Sequence, residues 1–351
     1  MLLTEVTNTI DDYSMLEKKD SILVAVSGGA DSISLVLLLL ALKAKYIIKI
    51  GIAHLNHMLR DEESLRDEIF VKQFAKNLNL PFFCQQINVR AHAKNKGLSF
   101  EQAGRELRYE YFMQLANEHG YTKIATGHNK EDNAELVLMN LLRGSGPKGL
   151  CGIPPIRDNI YIRPLIRISK TRILDFLKLE NQDYMFDSSN NDTIYLRNKI
   201  RHQLLPHLES QFNGEIIDAL DRLSNILKLD EDYLEEQTLK EYNNCLLHTD
   251  ISSVSLSKKQ LSDLHPGILN RVLRNAIKTV KNNLNQITQG HIKDIVQFAF
   301  NNLSGTSLDL PGRIRAYKQK DIIILKKEKK PLREMGRQEK QIHQKVQKRE
   351  I

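Results

Sequence analysis

Ser27-Gly28-Gly29-Ala30-Asp31-Ser32 brings two glycines, two serine hydroxyls and one carboxylate to the point where an apolar run ends and a helical one begins. Glycine lets backbone amides approach a ligand closely, and a helix start offers unpaired N–H groups at a positive dipole end, so the segment suits phosphate oxygens. It lacks the lysine of the kinase and GTPase P-loop. Asp31 instead sets a carboxylate among phosphates, which makes sense with a bridging Mg2+. Asp132 and Glu135 follow Gly127-His128-Asn129; three residues apart at a helix start, they share one face and could hold Mg2+ or an amine. Acidic residues also favour helix N-termini for dipole reasons alone. Arg143, Arg197 and Arg201 offer two-pronged phosphate contacts. Glu101, Arg105 and Arg108 fall at i, i+4 and i+7, a spacing that a solvated, salt-bridged helix face would also show.

These residues need a scaffold that collects them. From Ser21 to about Ile166, short apolar runs alternate with amphipathic stretches, which predicts a doubly wound α/β domain with a mostly parallel sheet. Candidate strands are Ile22 to Val26, Ile47 to Ala53, Phe82 to Ile87, Lys123 to Thr126 and a weaker Tyr161 to Arg163. Helical stripes run through Leu65, Ile69, Phe74 and Leu78, and through Phe100, Ala103, Leu107, Tyr111 and Leu115. Ligands of such sheets sit at the carboxyl ends of the strands. Ser27 to Ser32, His54 to His57, and Gly127 to Asn133 are expected there. His54 and His57 could be ligand contacts, and a strand end would also carry such residues as ordinary polar caps.

Beyond about Asn213 the texture is helical, with stripes at Ile216, Leu220, Leu223 and Leu227 and at Leu269, Val272 or Leu273, Ala276 and Val280. No strand is expected among them. Ser307 to Leu310, Arg313 to Tyr317 and Asp321 to Leu325 suggest a closing β-ribbon. The expected organisation is an N-terminal extension (1–20), a catalytic domain (21–212), a smaller helical domain (213–326) and a basic tail (327–351). Across 351 residues the net charge is +8, yet Lys326 to Ile351 alone holds ten Lys or Arg against four Glu, so the basicity is concentrated and fits polyanion binding or a solvated end. The three cysteines, Cys84, Cys151 and Cys245, are far apart and predict reduced thiols without a disulfide framework or metal cluster. No apolar run suggests a membrane span and no signal sequence is evident, so a cytoplasmic protein is expected.

The form S-G-G-x-D-S at Ser27 to Ser32 resembles the PP-loop ATP pyrophosphatase superfamily. Its members split ATP between the α and β phosphates. His54-Leu55-Asn56-His57 with Leu59-Arg60, Glu101 and Arg105 with Arg108-Tyr109, Gly127-His128-Asn129 with Asp132 and Glu135, and Arg143-Gly144-Ser145-Gly146 with Gly149-Leu150 resemble the tRNA(Ile)-lysidine synthases in order and spacing. Arg163-Pro164-Leu165, Asp187-Ser188-Ser189-Asn190 and Arg197-Asn198-Lys199-Ile200-Arg201 resemble that family's later signatures.

The resemblance implies a two-step ligation on the wobble cytidine of an isoleucine tRNA with a CAU anticodon. The C2 carbonyl oxygen attacks the α-phosphate of ATP, then the ε-amine of free lysine attacks C2 and expels AMP. It implies an ATP site of Ser27, Gly28, Gly29, Ala30, Asp31, Ser32, Ala53, His54, Gly127 and His128. Catalytic roles would fall to Asp31, Arg105, Asp132 and Glu135, with Mg2+ on Asp31 and Asp132. His57, Glu101, Arg108, Arg143, Arg197 and Arg201 would meet tRNA or lysine. Where this family often has paired histidines and a second Asp, this chain has Asn129 and Asn133. A homodimer is an allowed assembly. A thiolating PP-loop enzyme would be expected to carry paired cysteines, a metabolite ligase would not need Arg197 to Arg201, and a non-catalytic RNA-binding protein would not need Asp31, Asp132 and Glu135.

Overall fold

The computed structural model describes residues 2–58, 61–186, 196–301 and 306–330. The expected Leu59-Arg60 and Asp187 to Asn190 signatures, and the tail from 331 onward, lie outside them. Contacts divide the chain into two units at Lys228/Leu229.

The first unit carries a six-stranded sheet of β1 (Ser21–Ala25), β2 (Lys49–Asn56), β3 (Phe82–Gln86), β4 (Lys123–Ala125), β5 (Ile156–Arg157) and β6 (Tyr161–Ile162). The spatial order is β3-β2-β1-β4-β6-β5. All its pairings are parallel except β5 with β6. The order reverses between β1 and its two neighbours, so the switch point lies beside the end of β1. Alternation along β1 feeds two cores: Ile22 and Val24 face one, Leu23 the other. On the first face lie α1 (Leu2–Asp12), α2 (Ala30–Ala41), α4 (Asp61–Asn77) and α9 (Lys170–Leu179), and on the second α6 (Phe100–His119). The remaining helices are α3 (Lys43–Tyr46), α5 (Val89–Lys96), α7 (Lys130–Leu142), α8 (Pro147–Leu150), α10 (Leu196–Lys199), α11 (Leu205–Gln211) and α12 (Ile216–Cys245).

Several expectations shift. Residues 1–20 are not a separate appendage, because α1 buries Val6 and Ile10 completely in the first core. Ile47 is not in β2; it closes α3 in the left-handed region at φ 57, and the strand runs on to Asn56. His54 therefore lies within β2, not after it. On α4 the inward face is Val71, Phe74 and Ala75, while Leu65 and Ile69 are exposed.

In the second unit β7 (Leu246–Thr249) and β8 (Ser253–Ser257) precede α13 (Lys258–Ser262), α14 (Pro266–Lys281) and α15 (Gln289–Asn301). β9 (Ser307–Leu310), β10 (Ile314–Gln319) and β11 (Ile322–Lys327) follow. They form one antiparallel sheet of order β7-β8-β11-β10-β9. The expected ribbon is thus three strands of five, and the all-helical expectation for the earlier part fails at β7 and β8. Leu246-Leu247-His248-Thr249 shows no period of two, whereas Ser253-Val254-Ser255-Leu256-Ser257 alternates strictly and was a readable strand signal; Val254 and Leu256 supply the buried face. The inward stripe of α14 holds as expected, with Leu269, Val272, Leu273, Ala276 and Val280 all buried.

Candidate active site

The loop after β1 is tied to itself, with Ser27 exposed, Gly28, Ala30 and Ser32 buried, and the Met185 amide donating to the Gly28 carbonyl at 2.9 Å. The Val26 amide donates to the Ala53 carbonyl at 2.8 Å, extending the sheet to the loop's first residue. Ser32 Oγ donates to the Gly29 carbonyl at 2.9 Å and lies 3.2 Å from the Ser27 amide, which donates to it. Gly28 sits at φ +97, a conformation that side chains rarely adopt. Gly127 permits a close approach, since a Cβ there would stand 3.0 Å from the Asp31 carbonyl carbon and 3.1 Å from the Ser32 nitrogen. Asp31, in the first turn of α2, is partly exposed. Its Oδ1 accepts from Asn129 Nδ2 at 3.0 Å and its Oδ2 from Lys170 Nζ at 2.7 Å.

A second cluster opens α7. Asn129 is its N-cap: the Asn129 side chain accepts from the Asp132 amide and Asp132 Oδ2 accepts from the Asn129 amide, a reciprocal capping box. Asp132 Oδ1 accepts from Arg197 and Arg201 at 2.7 and 3.0 Å. Glu135, only 1% exposed, accepts from Arg197 Nε at 2.7 Å and Arg201 Nε at 2.5 Å. Arg197 belongs to α10, and Arg201 to the π-helical turn Ile200–Leu204 that follows it. Burial would raise the Asp132 carboxyl, but Arg197, His128 and Arg201 override it and hold the group below the usual carboxylate range. Burial pushes His128 down; Arg163, Arg197 and Arg108 add to that and Asp132 opposes it. The imidazole Nδ1 is 2.9 Å from Thr126 Oγ1.

The expected residues divide by location. Ser27 to Ser32, Gly127, His128, Asp132, Glu135, Arg197 and Arg201 gather at the strand ends through the bonds just given. Ala53 does not open onto the site: its side chain is fully buried in the core and its carbonyl serves Val26. His54 is buried, with Nδ1 2.8 Å from the Val26 carbonyl, so it straps β2 to the end of β1; burial lowers its pKa. His57 Nε2 lies 3.2 Å from Arg108 of α6. Arg105 is exposed, with its guanidinium 5.6 Å from the Tyr109 ring centroid. The Glu101 side chain lies outside the described residues. Arg143 caps the far end of α7, about 16 Å along the helix axis from Asp132, so the fold does not bring it to the carboxylates.

Sequence reasoning missed Lys170, the first residue of α9. Its amide donates to both Glu131 carboxylate oxygens at 2.9 Å while its ammonium reaches Asp31. A lysine directly after the N-cap Ser169 opposes the helix dipole, and that conflict was a readable sign of an acidic partner. Among the described residues no group of three or more His, Cys, Asp or Glu could cage a metal. Asp31, next to Ser32 and only partly buried, fits an Mg2+ carried on ATP phosphates once its Lys170 contact gives way, since that ion needs only one or two carboxylates. Asp132, expected as a second metal ligand, has its oxygens engaged by Arg197, Arg201 and the Asn129 amide.

A PP-loop domain family matches residues 2–208. The tRNA(Ile)-lysidine synthase of Clostridioides difficile is 38% identical over 93% of this chain and 71% of its own length. The chain belongs to the tRNA(Ile)-lysidine synthase family. The synthase of Caldanaerobacter subterraneus is 37% identical over 93% of this chain and 70% of its own length. Among solved structures, the U34-tRNA thiolase NcsA from Methanococcus maripaludis aligns with a TM-score of 0.53 at 17% identity, covering 64% of this chain and 78% of that one. That likeness bears on the fold alone. Within the lysidine synthase family frame, the strand-end cleft holds both the PP-loop and the α7 carboxylates.

Proposed function

We propose that the chain joins free lysine to C2 of the wobble cytidine of tRNA(Ile) with a CAU anticodon, using ATP and releasing AMP and pyrophosphate. The observation that carries this reading is the pairing of Asp31 in the PP-loop with Asn129 at the head of α7, which joins a phosphate site to a carboxylate site in one cleft. The Ser27–Ser32 amides and hydroxyls bind the phosphates and orient the α-phosphate toward the cytidine C2 oxygen. Mg2+ held by Asp31 would neutralise charge on the departing pyrophosphate. Lys170 supplies a second positive charge on the same side.

Free lysine carries an ammonium of pKa about 10.4 and must lose a proton before attack. Asp132 and Glu135 offer it carboxylates, and Arg197 and Arg201 offer its α-carboxylate two guanidinium forks. Binding lysine there exchanges one set of ion pairs for another, so buried charges are never left alone. Phosphates of the RNA meet Arg108 and the basic second unit, which makes binding steeply salt-dependent.

The test supplies labelled lysine, ATP, Mg2+ and a tRNA transcript with CAU at the anticodon. Lysine should enter the RNA with release of pyrophosphate, and a transcript lacking the wobble cytidine should take up none. RNA binding without lysine incorporation would end the enzyme reading.

A further inference from the structure

Arg163 follows β6 directly and is 2% exposed. One guanidinium nitrogen donates to the Pro154 carbonyl, and Nε is buried without a hydrogen-bond partner. Among the described residues no carboxylate pairs with Arg163 or with Arg105. Both crowd Tyr109, whose hydroxyl lies beside Arg163 and whose ring has Arg157 4.7 Å from its centroid. Burying an unpaired guanidinium is costly, and folded proteins keep such a group where a ligand completes it. The Thr126 amide donates to the Ile162 carbonyl at 3.0 Å, which places Arg163 level with Thr126 on the strand-end side of the sheet, where its charge acts on His128. β6 stands two strands from β1, about 10 Å from the PP-loop strand, on the side away from β2. A second phosphate, distinct from those held by the loop, fits that separation.

We propose that Arg163, with Arg105 and the Tyr109 hydroxyl, forms an anion subsite that takes a backbone phosphodiester of the RNA next to the reacting base. This rests on the reading of the chain as an RNA-modifying enzyme. Arg163 and Arg105 supply the charge and the forked donors, and Tyr109 holds the two guanidiniums in place. The Tyr109 phenol fits such a role: burial would raise its pKa, but Arg105, Arg163 and Arg157 together bring it below the ordinary value.

The experiment measures equilibrium binding of an anticodon stem-loop RNA across a salt series, with neither ATP nor lysine present. Arg163→Met should weaken binding and reduce the slope of log affinity against log salt by about 0.7 to 1. Arg163→Lys should keep the slope and lose part of the affinity, because the charge remains without the fork. Without RNA, the thermal midpoint of Arg163→Met should equal or exceed that of the parent, since an uncompensated buried charge is removed. Should that variant fail to fold, Arg105→Ala on the exposed side tests the same subsite by the same slope. An unchanged slope in folded protein overturns the proposal, as does a lowered midpoint with normal RNA binding, which is the mark of a structural arginine. Reduced ATP affinity with an unchanged RNA slope also overturns it and assigns the phosphate to the nucleotide. A chain that binds RNA through Arg163 yet never incorporates lysine would sink the proposed reaction and leave this subsite standing.

Discussion

The two acidic centres of the cleft are built in opposite ways. Asp31 is partly exposed and held by one amide and one ammonium, whereas Asp132 and Glu135 are buried and share four bonds with two arginines. The first can turn to a cation by giving up one partly exposed partner, Lys170. The second is neutral already, so a ligand must replace partners it finds there. On the proposed reaction, the difference separates a group kept for chemistry from a pair that also supports the fold.

That contrast is broken most directly at Asp31. Asp31→Ala should lower pyrophosphate release by about a thousandfold while the thermal midpoint stays near the parent value; a large drop in midpoint would make Asp31 structural. Glu135→Ala should do the reverse in part. It strands Arg197 and Arg201 and should cost about 2 kcal/mol of stability, below the figure for a fully buried pair because both arginines reach solvent. Chemical denaturation reads this, and an unchanged midpoint would show that the four bonds contribute nothing net.

Lys170→Ala sharpens the comparison further, since it removes the charge that faces Asp31. Activity should fall about tenfold, roughly 1.4 kcal/mol, with RNA affinity unchanged and with partial recovery in Lys170→Arg. The smallest effect is on pH dependence. Burial lowers the pKa of both His128 and His54, so the unfolded chain takes up protons that the folded one refuses. Their contribution to stability is complete above the ordinary 6.5 and declines as pH falls below it. Asp132, with its pKa depressed, contributes fully above the ordinary 3.8 and loses that contribution as pH falls from there through the lower value. Thermal midpoints should therefore drop on acidification below neutrality, and His54→Gln with His128→Gln should flatten that window while leaving the more acidic one.

Much of this was legible because it is local. The β-branched run ending in Ser27-Gly28-Gly29 dictates a strand, a turn that only glycine tolerates and a helix, whatever surrounds them. The helix start that carries Asp132 and Glu135 is equally local, as is the inward stripe of α14. Strand β7 was not legible, because Leu246-Leu247-His248-Thr249 has no alternation and its pairing with β8 is set in space, while the Ser-Val-Ser-Leu-Ser alternation of β8 was there to be read.

The sequence by itself determined the phosphate loop, the parallel sheet and which carboxylates stand on one helix face, since each follows from spacing within a few residues. Only the tertiary structure decided which charges meet. Arg197 and Arg201 come to Asp132 and Glu135 across more than sixty residues, Lys170 comes to Asp31 across 139, and Arg163 is left without a carboxylate. Ion pairing depends on distance and burial in space, and neither is encoded by position along the chain.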